Sequence, residues 1–290
     1  MAFADAPPTY TIAWLIDRTN TVYSLPLFYE RLNEAINHPR TSIDDIAKII
    51  TEDQGLTTRL LRLANSPMFG YFGKVGSISK AVTIIGTQQL RDLALAASVM
   101  GIFKGIPEEL LSMASFWRHS IACGIIARAL ATWRREVNVE RFFVAGMLHD
   151  IGQLIMATML GKLVREMLEE SQASAGLYFN IEKARLGFDH AEAGGALLKE
   201  WKIPANIAEP VAYHHTPGRA EQFPLETSLV HLADIICQAL ELGQSCERFV
   251  PPLDASSWER LGMTPHQLGT VLKQAEPQIE ETFAILSEDA

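Results

Sequence analysis

Apolar residues recur every three to four positions along most of this 290-residue chain, which is the spacing of helices with one buried face. No long stretch alternates apolar and polar residues as a half-buried strand does. Capping signals agree, because Ser42 with Asp45 three residues later opens one helical run and Ser77 opens another. The pattern predicts an all-α fold with helices over residues 26–37, 43–50, 56–64, 78–85, 87–103, 107–133, 139–159, 162–172, 189–201, 204–214, 225–241 and 265–286.

The two ends of the chain interrupt this pattern. Residues 1–24 start with a Pro-Pro pair and are predicted to be an irregular arm, in which residues 10–16 form either a short strand or a docking segment. Near the other end, a second Pro-Pro pair at 251–252 separates a last helical stretch. We therefore predict four parts: an arm (1–24), an N-terminal helical part (25–105), a central helical bundle (106–242) and a C-terminal helical segment (243–290).

Composition narrows the classes of function. The formal net charge is −9, and the basic cluster at 128–135 lies near a predicted helix end, where it complements the helix dipole, so there is no strong nucleic-acid signal. No uncharged apolar run approaches the roughly 20 residues of a membrane span, and the start lacks the basic and apolar segments of a secretion signal. Three scattered cysteines form no disulfide framework. These features favour a cytoplasmic protein without a membrane association.

The segment 146–152, Gly-Met-Leu-His-Asp-Ile-Gly, carries the most informative pair of residues. The imidazole of His149 and the carboxylate of Asp150 can bind a metal together. Buried carboxylates are costly without a cation, so Asp150 and Asp234, which both lie in apolar stretches, require metal or cationic partners. Further candidate ligands lie in other predicted helices, namely His119, His190, His214 and His215.

Imidazole and carboxylate ligands without thiolates favour one or two divalent transition-metal ions, such as Fe, Mn, Zn, Ni or Co. We predict two groups around two ions, with Asp150 as the bridge. The first group is His119, His149, Asp150 and Asp234, and the second is His190, His214 and His215. Two ions about 3.5–4 Å apart are the common arrangement for activating water against a phosphoester.

A purely structural interpretation stays open for each histidine taken alone, because hydrogen-bonded histidines are common in cores and on surfaces. The tandem pair at 214–215 also fits a solvated helix end. His231, three residues before Asp234, fits a hydrogen-bond partner of that carboxylate better than a metal ligand. His38 and His266 lie beside prolines at helix boundaries and are predicted to be superficial.

At the candidate ligands the chain resembles the HD superfamily of metal-dependent phosphohydrolases, whose pattern is His, then His-Asp, then a later Asp. Further segments are similar to the HDOD family, the HD-related output domains of bacterial signalling proteins. These segments are 25–26 (LP), 49–57 (IITEDQGLT), 60–66 (LLRLANS) and 77–86 (SISKAVTIIG). The resemblance covers about residues 20–242, and it implies an HD-like helical bundle with an additional N-terminal helical subdomain.

Much of the HDOD family is regarded as lacking catalytic residues, but here all seven candidate ligands match ligand positions of the related HD-GYP cyclic di-GMP phosphodiesterases. The chain departs from those enzymes at three places. Gln153 stands where their motif has a lysine, the segment 216–219 (TPGR) replaces their Gly-Tyr-Pro loop, and Ser115 replaces a carboxylate that some of them use for an extra metal. The resemblance therefore implies metal binding more strongly than hydrolysis of a cyclic dinucleotide.

We expect a bacterial signal-transduction output module with a mono- or dinuclear metal site, which acts mainly through contacts with a signalling protein. The N-terminal helices or the glycine-rich loop at 70–76 are the candidate contact surfaces. The alternative is a metal-dependent phosphohydrolase that acts on a nucleotide, a cyclic dinucleotide or another phosphoester, with Asp150 as the bridging catalytic residue and Arg118 or Arg219 beside the phosphate. The resemblance also leaves open the oxygen chemistry of some HD-like diiron proteins.

Overall fold

The computed structural model describes residues 10–23, 27–71, 73–103, 105–174 and 176–287, and within these ranges it contains helices, turns and loops but no strand. The prediction of an all-α fold is confirmed. The helices are α1 (Ile12–Val22), α2 (Leu27–Asn37), α3 (Ile43–Thr51), α4 (Gln54–Asn65), α5 (Ile78–Ile85), α6 (Thr87–Ile102), α7 (Met113–Trp133), α8 (Glu140–Leu148), α9 (Ile151–Met159), α10 (Gly161–Ala173), α11 (Tyr178–Leu186), α12 (His190–Glu200), α13 (Ala205–Tyr213), α14 (Pro224–Ala239), α15 (Ala255–Leu261) and α16 (Pro265–Ser287).

Of the two alternatives predicted for residues 10–16, the short strand is wrong, because residues 12–16 are helical, and the part of the predicted arm at 1–9 lies outside the described residues. Helix α1 begins after Thr11, whose hydroxyl accepts a hydrogen bond from the Trp14 N–H (3.1 Å) and so caps the first turn. Leu15 and Ile16 are buried, and α1 packs against α9 and α12. The arm therefore contributes a helix to the bundle.

Two predicted helices have different bounds in the structure. Residues 107–110 form a turn, closed by a hydrogen bond from the Leu110 N–H to the Pro107 carbonyl oxygen (2.9 Å), and α7 begins only at Met113. The predicted helix at 139–159 is two helices, α8 and α9, which meet at His149 and Asp150. The apolar pattern predicts neither α11 nor α15.

Helix α7 is the centre of the bundle, and α8, α14 and α16 pack along it. Helices α7 and α8 approach closely because glycines face each other, and a Cβ atom on Gly146 would lie 2.8 Å from the Gly124 Cα atom. A Cβ atom on Gly152 of α9 would lie 1.9 Å from the carbonyl oxygen of His190, at the start of α12. These close crossings bring the helices that carry the candidate ligands within side-chain reach of one another.

Helix α6 joins the N-terminal helices to the bundle, since it packs on α2, α4 and α5 and also on α8. It carries a buried ion pair between Arg91 and Asp92 (2.7 Å), and Arg91 also donates to the Asn33 side chain of α2 (3.3 Å). At the other end of the chain, α15 packs on α14 and α16 runs along α7. The helices of the C-terminal segment therefore complete the core around α7.

One stretch, Glu140–Met159, is long and apolar enough to cross a membrane by length and composition alone. Inside the fold 89% of an 18-residue window of this stretch is buried, and the turn between α8 and α9 interrupts it. A helical core segment passes the same test of length and composition. Cys123 and Cys237 are also buried, and both are free thiols.

Candidate metal centre

The structure brings all seven candidate ligand residues together at one place in the bundle core. His119 lies in the middle of α7, and His149 and Asp150 form the turn between α8 and α9. The other four lie at the start of α12, directly after α13 and within α14, and they are His190, His214, His215 and Asp234. Six of the seven are at most 2% exposed and His215 is half-buried, so the site is an interior one.

The carboxylate of Asp150 lies between two groups of imidazoles. Its Oδ2 atom is 3.3 Å from His149 Nε2 and 3.9 Å from His119 Nε2. Its Oδ1 atom is 3.0 Å from His190 Nε2 and 3.7 Å from His214 Nε2. Each oxygen therefore faces its own pair of ring nitrogens, which is the geometry that a bridging carboxylate requires.

The remaining two residues extend these two groups. Asp234 Oδ1 lies 3.2 Å from His119 Nε2 and 3.6 Å from His149 Nε2, on the Oδ2 side of Asp150. His215 Nε2 lies 2.9 Å from His190 Nε2, on the Oδ1 side. Three sets of potential ligand atoms lie within 4.8 Å of one another, namely those of His119, His149 and Asp150, of His149, His214 and Asp234, and of His190, His214 and His215.

Several nitrogens at this site are buried without a hydrogen-bond partner. Both ring nitrogens of His119, and the Nε2 atoms of His149 and His214, have no partner of acceptable geometry among the described residues. A buried polar atom left without a partner costs about 1–3 kcal/mol. A metal ion on these lone pairs would remove that cost, and nitrogen and oxygen donors without a thiolate suit a divalent transition metal. The residues therefore fit a metal centre.

In three of these imidazoles, a hydrogen bond at Nδ1 orients the ring so that Nε2 faces the centre. His149 Nδ1 donates to the Gly146 carbonyl oxygen (2.7 Å), and His214 Nδ1 donates to the Val211 carbonyl oxygen (2.8 Å). These bonds leave Nε2 as the free lone pair of each ring, as in known metal-binding histidines. Local helix geometry supplies both acceptors, since each carbonyl lies three residues before its histidine.

His190 has a different partner, the buried carboxylate of Glu182 on α11. Glu182 Oε2 accepts hydrogen bonds from His190 Nδ1 (2.6 Å) and from the His190 backbone N–H (2.9 Å). A carboxylate in this position fixes the ring and raises its basicity as a ligand. The sequence prediction missed Glu182, because α11 itself was not predicted and eight residues separate Glu182 from His190.

Burial and charge divide the imidazoles into two kinds. Burial alone would lower the pKa of His149 and of His190, but Asp150 and Glu182 raise both pKa values well above the ordinary histidine value. Burial and the positive charge of His149 instead lower the pKa of His214 to about 4. Without a metal, two of the rings therefore hold an extra proton and His214 is neutral.

The carboxylates respond to the same charges. Burial would raise the pKa of Asp150 and of Asp234, but the charges and hydrogen bonds of the imidazoles beside them hold both pKa values well below the ordinary carboxyl range. Burial raises the pKa of Glu182, and the charge of His190 only partly opposes this. Asp150 and Asp234 are therefore ionised and available as ligands at neutral pH.

Two glutamines contact the candidate ligands. Gln153 Nε2 lies 3.5 Å from His190 Nε2, and its Oε1 atom accepts a hydrogen bond from the Cys246 N–H (3.1 Å). Gln238 Nε2, one helical turn after Asp234, donates to Asp234 Oδ1 (3.2 Å). Gln153, which was named from the sequence, is thus a neutral neighbour of the site. Gln238 was not named from the sequence.

Other candidates from the sequence lie in different surroundings. His231 does not bond Asp234: its Nδ1 donates to the His214 carbonyl oxygen (2.7 Å) and its Nε2 accepts from the Asp254 N–H (3.0 Å). Arg118 pairs with Glu280 of α16, and Arg219 pairs with Glu192 (2.9 Å). His38 and His266 are exposed, which confirms their predicted positions.

A cleft of about 1400 Å³ reaches this site from the surface, and His119 is part of its wall. Residues 242–250, which we call the strap, form one side of the cleft. Gly243 in the strap has φ +77, and a Cβ atom there would lie 2.4 Å from the backbone of α7 at both Ser115 O and His119 N. The strap therefore crosses α7 directly over the turn that carries His119.

The chain matches the model of one known protein family. The family model of the HDOD domain matches residues 22–217, which is more than half of the sequence. This chain belongs to the HDOD domain family. The match includes the N-terminal helices from the end of α1 onwards and extends through the tandem histidines after α13.

Solved structures agree with the HDOD assignment. An HDOD domain protein of unknown function from Geobacter sulfurreducens is 25% identical, covers 94% of this chain and 96% of its own, and superposes with a TM-score of 0.73. A Shewanella amazonensis protein described as a candidate phosphohydrolase is 24% identical over 95% of this chain and 98% of its own, also with a TM-score of 0.73, and shows the same fold.

A curated relative is longer than the HDOD chain. An uncharacterised protein from Treponema pallidum (strain Nichols) is 25% identical over 236 residues, which are 80% of this chain but 45% of the relative. The HDOD chain thus spans about half the length of this relative. The assignment gives the fold and the HDOD family, and the roles of the site residues are treated as proposals below.

Proposed function

We propose that this HDOD module holds two divalent transition-metal ions, and that the loaded module regulates a signalling partner through protein contacts. The observation that carries the proposal is the placement of Asp150, whose two carboxylate oxygens face two different pairs of imidazole nitrogens. One ion would be held by His119, His149, Asp150 and Asp234, and the other by His190, His214, His215 and Asp150.

The charges of the site support two ions rather than none. Three buried carboxylates, those of Asp150, Asp234 and Glu182, lie in or directly behind the two ligand groups. Two divalent cations carry four positive charges against these three negative ones, which leaves a small net charge in the core. Nitrogen and oxygen donors suit Fe, Mn, Zn, Ni or Co, and the donor set does not distinguish among them.

Deep burial of the ligands and the nature of the surface support a regulatory role. Six of the seven ligands are at most 2% exposed, so a substrate has little direct access to them. Gln153 stands at the position where the related phosphodiesterases have a phosphate-binding lysine. On the N-terminal helices and the following loop, Leu27 (76% exposed), Ile43 (44%) and Tyr71 (40%) present apolar surface that a partner protein can cover.

A second function, hydrolysis of a phosphoester, is favoured by one specific observation. The cleft of about 1400 Å³ ends at His119, a ligand of the first proposed ion, and Arg118 and Arg248 lie in its wall. Two bound metal ions would supply a polarised water nucleophile, with a pKa lowered toward about 7, and would neutralise charge on the phosphoryl group. Asp150 would keep the two ions at a fixed separation, and Gln238 would hold the carboxylate of Asp234 in place.

Elemental analysis of protein purified without a metal-affinity tag tests the proposal. We expect about two equivalents of transition metal per chain, and at most one in Asp150→Asn, which keeps the side-chain shape but loses the bridging charge. Asp92→Asn is the matched control, because Asp92 is also buried but pairs with Arg91. The proposal fails if the wild-type chain binds no metal, or if Asp150→Asn binds as much as the control.

Turnover decides between the two functions. The metal-loaded chain is offered bis(p-nitrophenyl) phosphate, p-nitrophenyl phosphate and cyclic di-GMP. Full metal occupancy without turnover supports the regulatory module. Turnover that disappears in Asp150→Asn, while Asp92→Asn stays active and both keep the wild-type helical spectrum, supports the phosphohydrolase.

A further inference from the structure

The cleft beside the proposed metal centre is rich in hydroxyl and carboxamide groups. Four serines and three glutamines are among the residues that line it, together with two arginines and two glutamates. No Phe, Tyr or Trp occurs among the described residues that line it. Such a wall matches a ligand that offers many hydroxyl groups, since each hydroxyl can donate and accept.

Ser171 on α10 shows that part of this hydrogen-bonding capacity is unused. Its side chain lines the cleft, the residue is only 3% exposed, and its Oγ atom has no hydrogen-bond partner among the described residues. Buried hydroxyls in folded proteins normally have a partner. His119, at the inner end of the same cleft, has two ring nitrogens without a partner. Ser171 therefore offers an unused hydrogen bond on the wall of the cleft, whereas a ring nitrogen of His119 is assigned to the proposed metal ion.

We propose that this cleft binds a small phosphorylated polyol, such as a sugar phosphate, rather than a nucleotide. The proposal rests on the proposed function, because the phosphate is placed at the His119 end, beside the metal centre. Arg118 and Arg248 place two guanidinium groups on the wall of the same cleft, and that of Arg118 also pairs with Glu280. The hydroxyl groups of the polyol then lie against the serines and glutamines, including Ser171.

The carboxylates of the cleft agree with a polyol. Glu247 uses its carboxylate to accept the Tyr178 backbone N–H (2.8 Å), so it is engaged in holding the strap to α11. Glu241 lines the cleft as well and is exposed. A carboxylate repels a phosphate but accepts hydrogen bonds from hydroxyl groups. The ligand should therefore have its charge at one end and hydroxyl groups along the rest.

The same wall disfavours a nucleotide. Proteins commonly hold an unpaired base by stacking it on an aromatic ring, and the described lining offers none. The neighbouring Phe249 in the strap is outside the lining, and its ring lies 5.6 Å from the Arg248 guanidinium. The volume of about 1400 Å³ would admit either class of ligand, so the chemistry of the wall decides.

Isothermal titration calorimetry on the full, Mn²⁺-loaded chain tests the proposal with four probes: glucose 6-phosphate, glucose, inorganic phosphate and AMP. We expect glucose 6-phosphate to bind about ten-fold tighter than any of the other three, because glucose and inorganic phosphate each offer only one part of the ligand and AMP has a base in place of most of the hydroxyl groups. Tighter binding of AMP than of glucose 6-phosphate would overturn the proposal.

A pair of serine variants locates the binding. Ser171→Ala should weaken glucose 6-phosphate binding by about three- to ten-fold, the effect of one lost hydrogen bond, and leave the metal content unchanged. Ser66→Ala is the matched control, since Ser66 is also buried with an unpartnered Oγ but lies at the end of α4, outside the cleft lining. Equal affinities of the two variants would also overturn the proposal.

Metal content separates this proposal from the one it rests on. If elemental analysis finds the metal ions but glucose 6-phosphate does not bind, the ligand proposal fails and the metal centre stands. If no metal binds under any condition, the proposed function fails, whatever the titrations give.

Discussion

At the scale of single residues, the partner of His190 distinguishes the two halves of the centre. His149 and His214 donate to backbone carbonyl oxygens, whereas His190 donates to the Glu182 carboxylate at 2.6 Å. A negatively charged acceptor makes the opposite ring nitrogen a stronger ligand than a neutral carbonyl does. We therefore expect the ion on the His190 side to be the more tightly held of the two.

Glu182→Gln tests this difference. The variant keeps the size of the side chain and a hydrogen-bond acceptor but removes the charge, so the affinity for the more tightly held ion should fall by about ten- to one-hundred-fold. Competition against a chelator on the purified chain measures that affinity. Glu226→Gln is the control, because Glu226 is also buried but pairs with Arg141 (3.0 Å). Wild-type affinity in Glu182→Gln would contradict the argument.

The sequence contained enough information to choose the seven candidate ligands, because an imidazole or a carboxylate inside an apolar helical run needs a partner. Their convergence agrees with that prediction, and their role as ligands stays a prediction until metal is measured. Glu182 and Gln238 could not be chosen in the same way. Both are ordinary helical polar residues in the sequence, and their contacts depend on which helices face each other.

At the scale of elements, the predictions succeeded where local chemistry decides and failed where packing decides. The capping box of Ser42 and Asp45 opens α3 as predicted, since the Asp45 N–H donates to the Ser42 hydroxyl and the Ser42 N–H donates to the Asp45 carboxylate. The break between α8 and α9 has no such local signal, because residues 139–159 are apolar and helical in pattern throughout. In α11 the buried residues cluster in the first half, so no apolar stripe marks it as a helix.

The crossing of α9 and α12 gives a prediction at this scale. Gly152→Ala would place a methyl group 1.9 Å from the His190 carbonyl oxygen, and the backbone of one helix must move to make room. We expect a loss of about 1–3 kcal/mol in the free energy of unfolding, together with weaker metal binding at His190. Urea denaturation and metal analysis measure the two effects.

Gly269→Ala is the matched control for this crossing. Gly269 lies inside α16 with nothing within 4 Å of its Cβ position, so alanine there should stabilise the helix by about 1 kcal/mol. If Gly152→Ala is as stable as the wild type, α9 and α12 are not held at the distance described.

At the scale of the whole molecule, the centre joins helices that are far apart in the chain. Its residues come from α7, the turn between α8 and α9, α12, the end of α13 and α14. A ligand that binds only the folded state stabilises the whole fold, by about 2.7 kcal/mol at a concentration one hundred times its Kd. Sequence patterns could predict the separate helices and the residues that meet here, but not the distances between them, which are set only once the bundle is packed.

The stabilisation by metal should depend on pH. In the metal-free chain, the folded state binds protons at His149 and His190 more tightly than the unfolded state does, because both pKa values are raised. This contribution to the free energy of unfolding is fully present below about pH 6.5. It is lost as the pH rises through the raised pKa values. A metal ion must displace these protons, so the metal-bound state becomes more stable relative to the metal-free state as the pH increases. The rise in Tm on adding Mn²⁺ should thus be larger at pH 8 than at pH 6.

Differential scanning fluorimetry at the two pH values, with and without Mn²⁺, measures this prediction. Asp150→Asn should show little increase in Tm at either pH, because it lacks the bridge between the ions. An increase that is equal at both pH values, or larger at pH 6, would show that no proton is displaced when the metal binds.

His231 has a consequence for how the C-terminal helices communicate with the core. Its Nδ1 donates to the carbonyl oxygen of His214, and its Nε2 accepts from the N–H of Asp254, which caps α15. A rearrangement of α15 would therefore change the support of a candidate ligand imidazole. Thermodynamic linkage works in both directions. A protein that binds α15 would alter the affinity of the site for the proposed ions, and binding of the ions would alter the affinity of the chain for that protein.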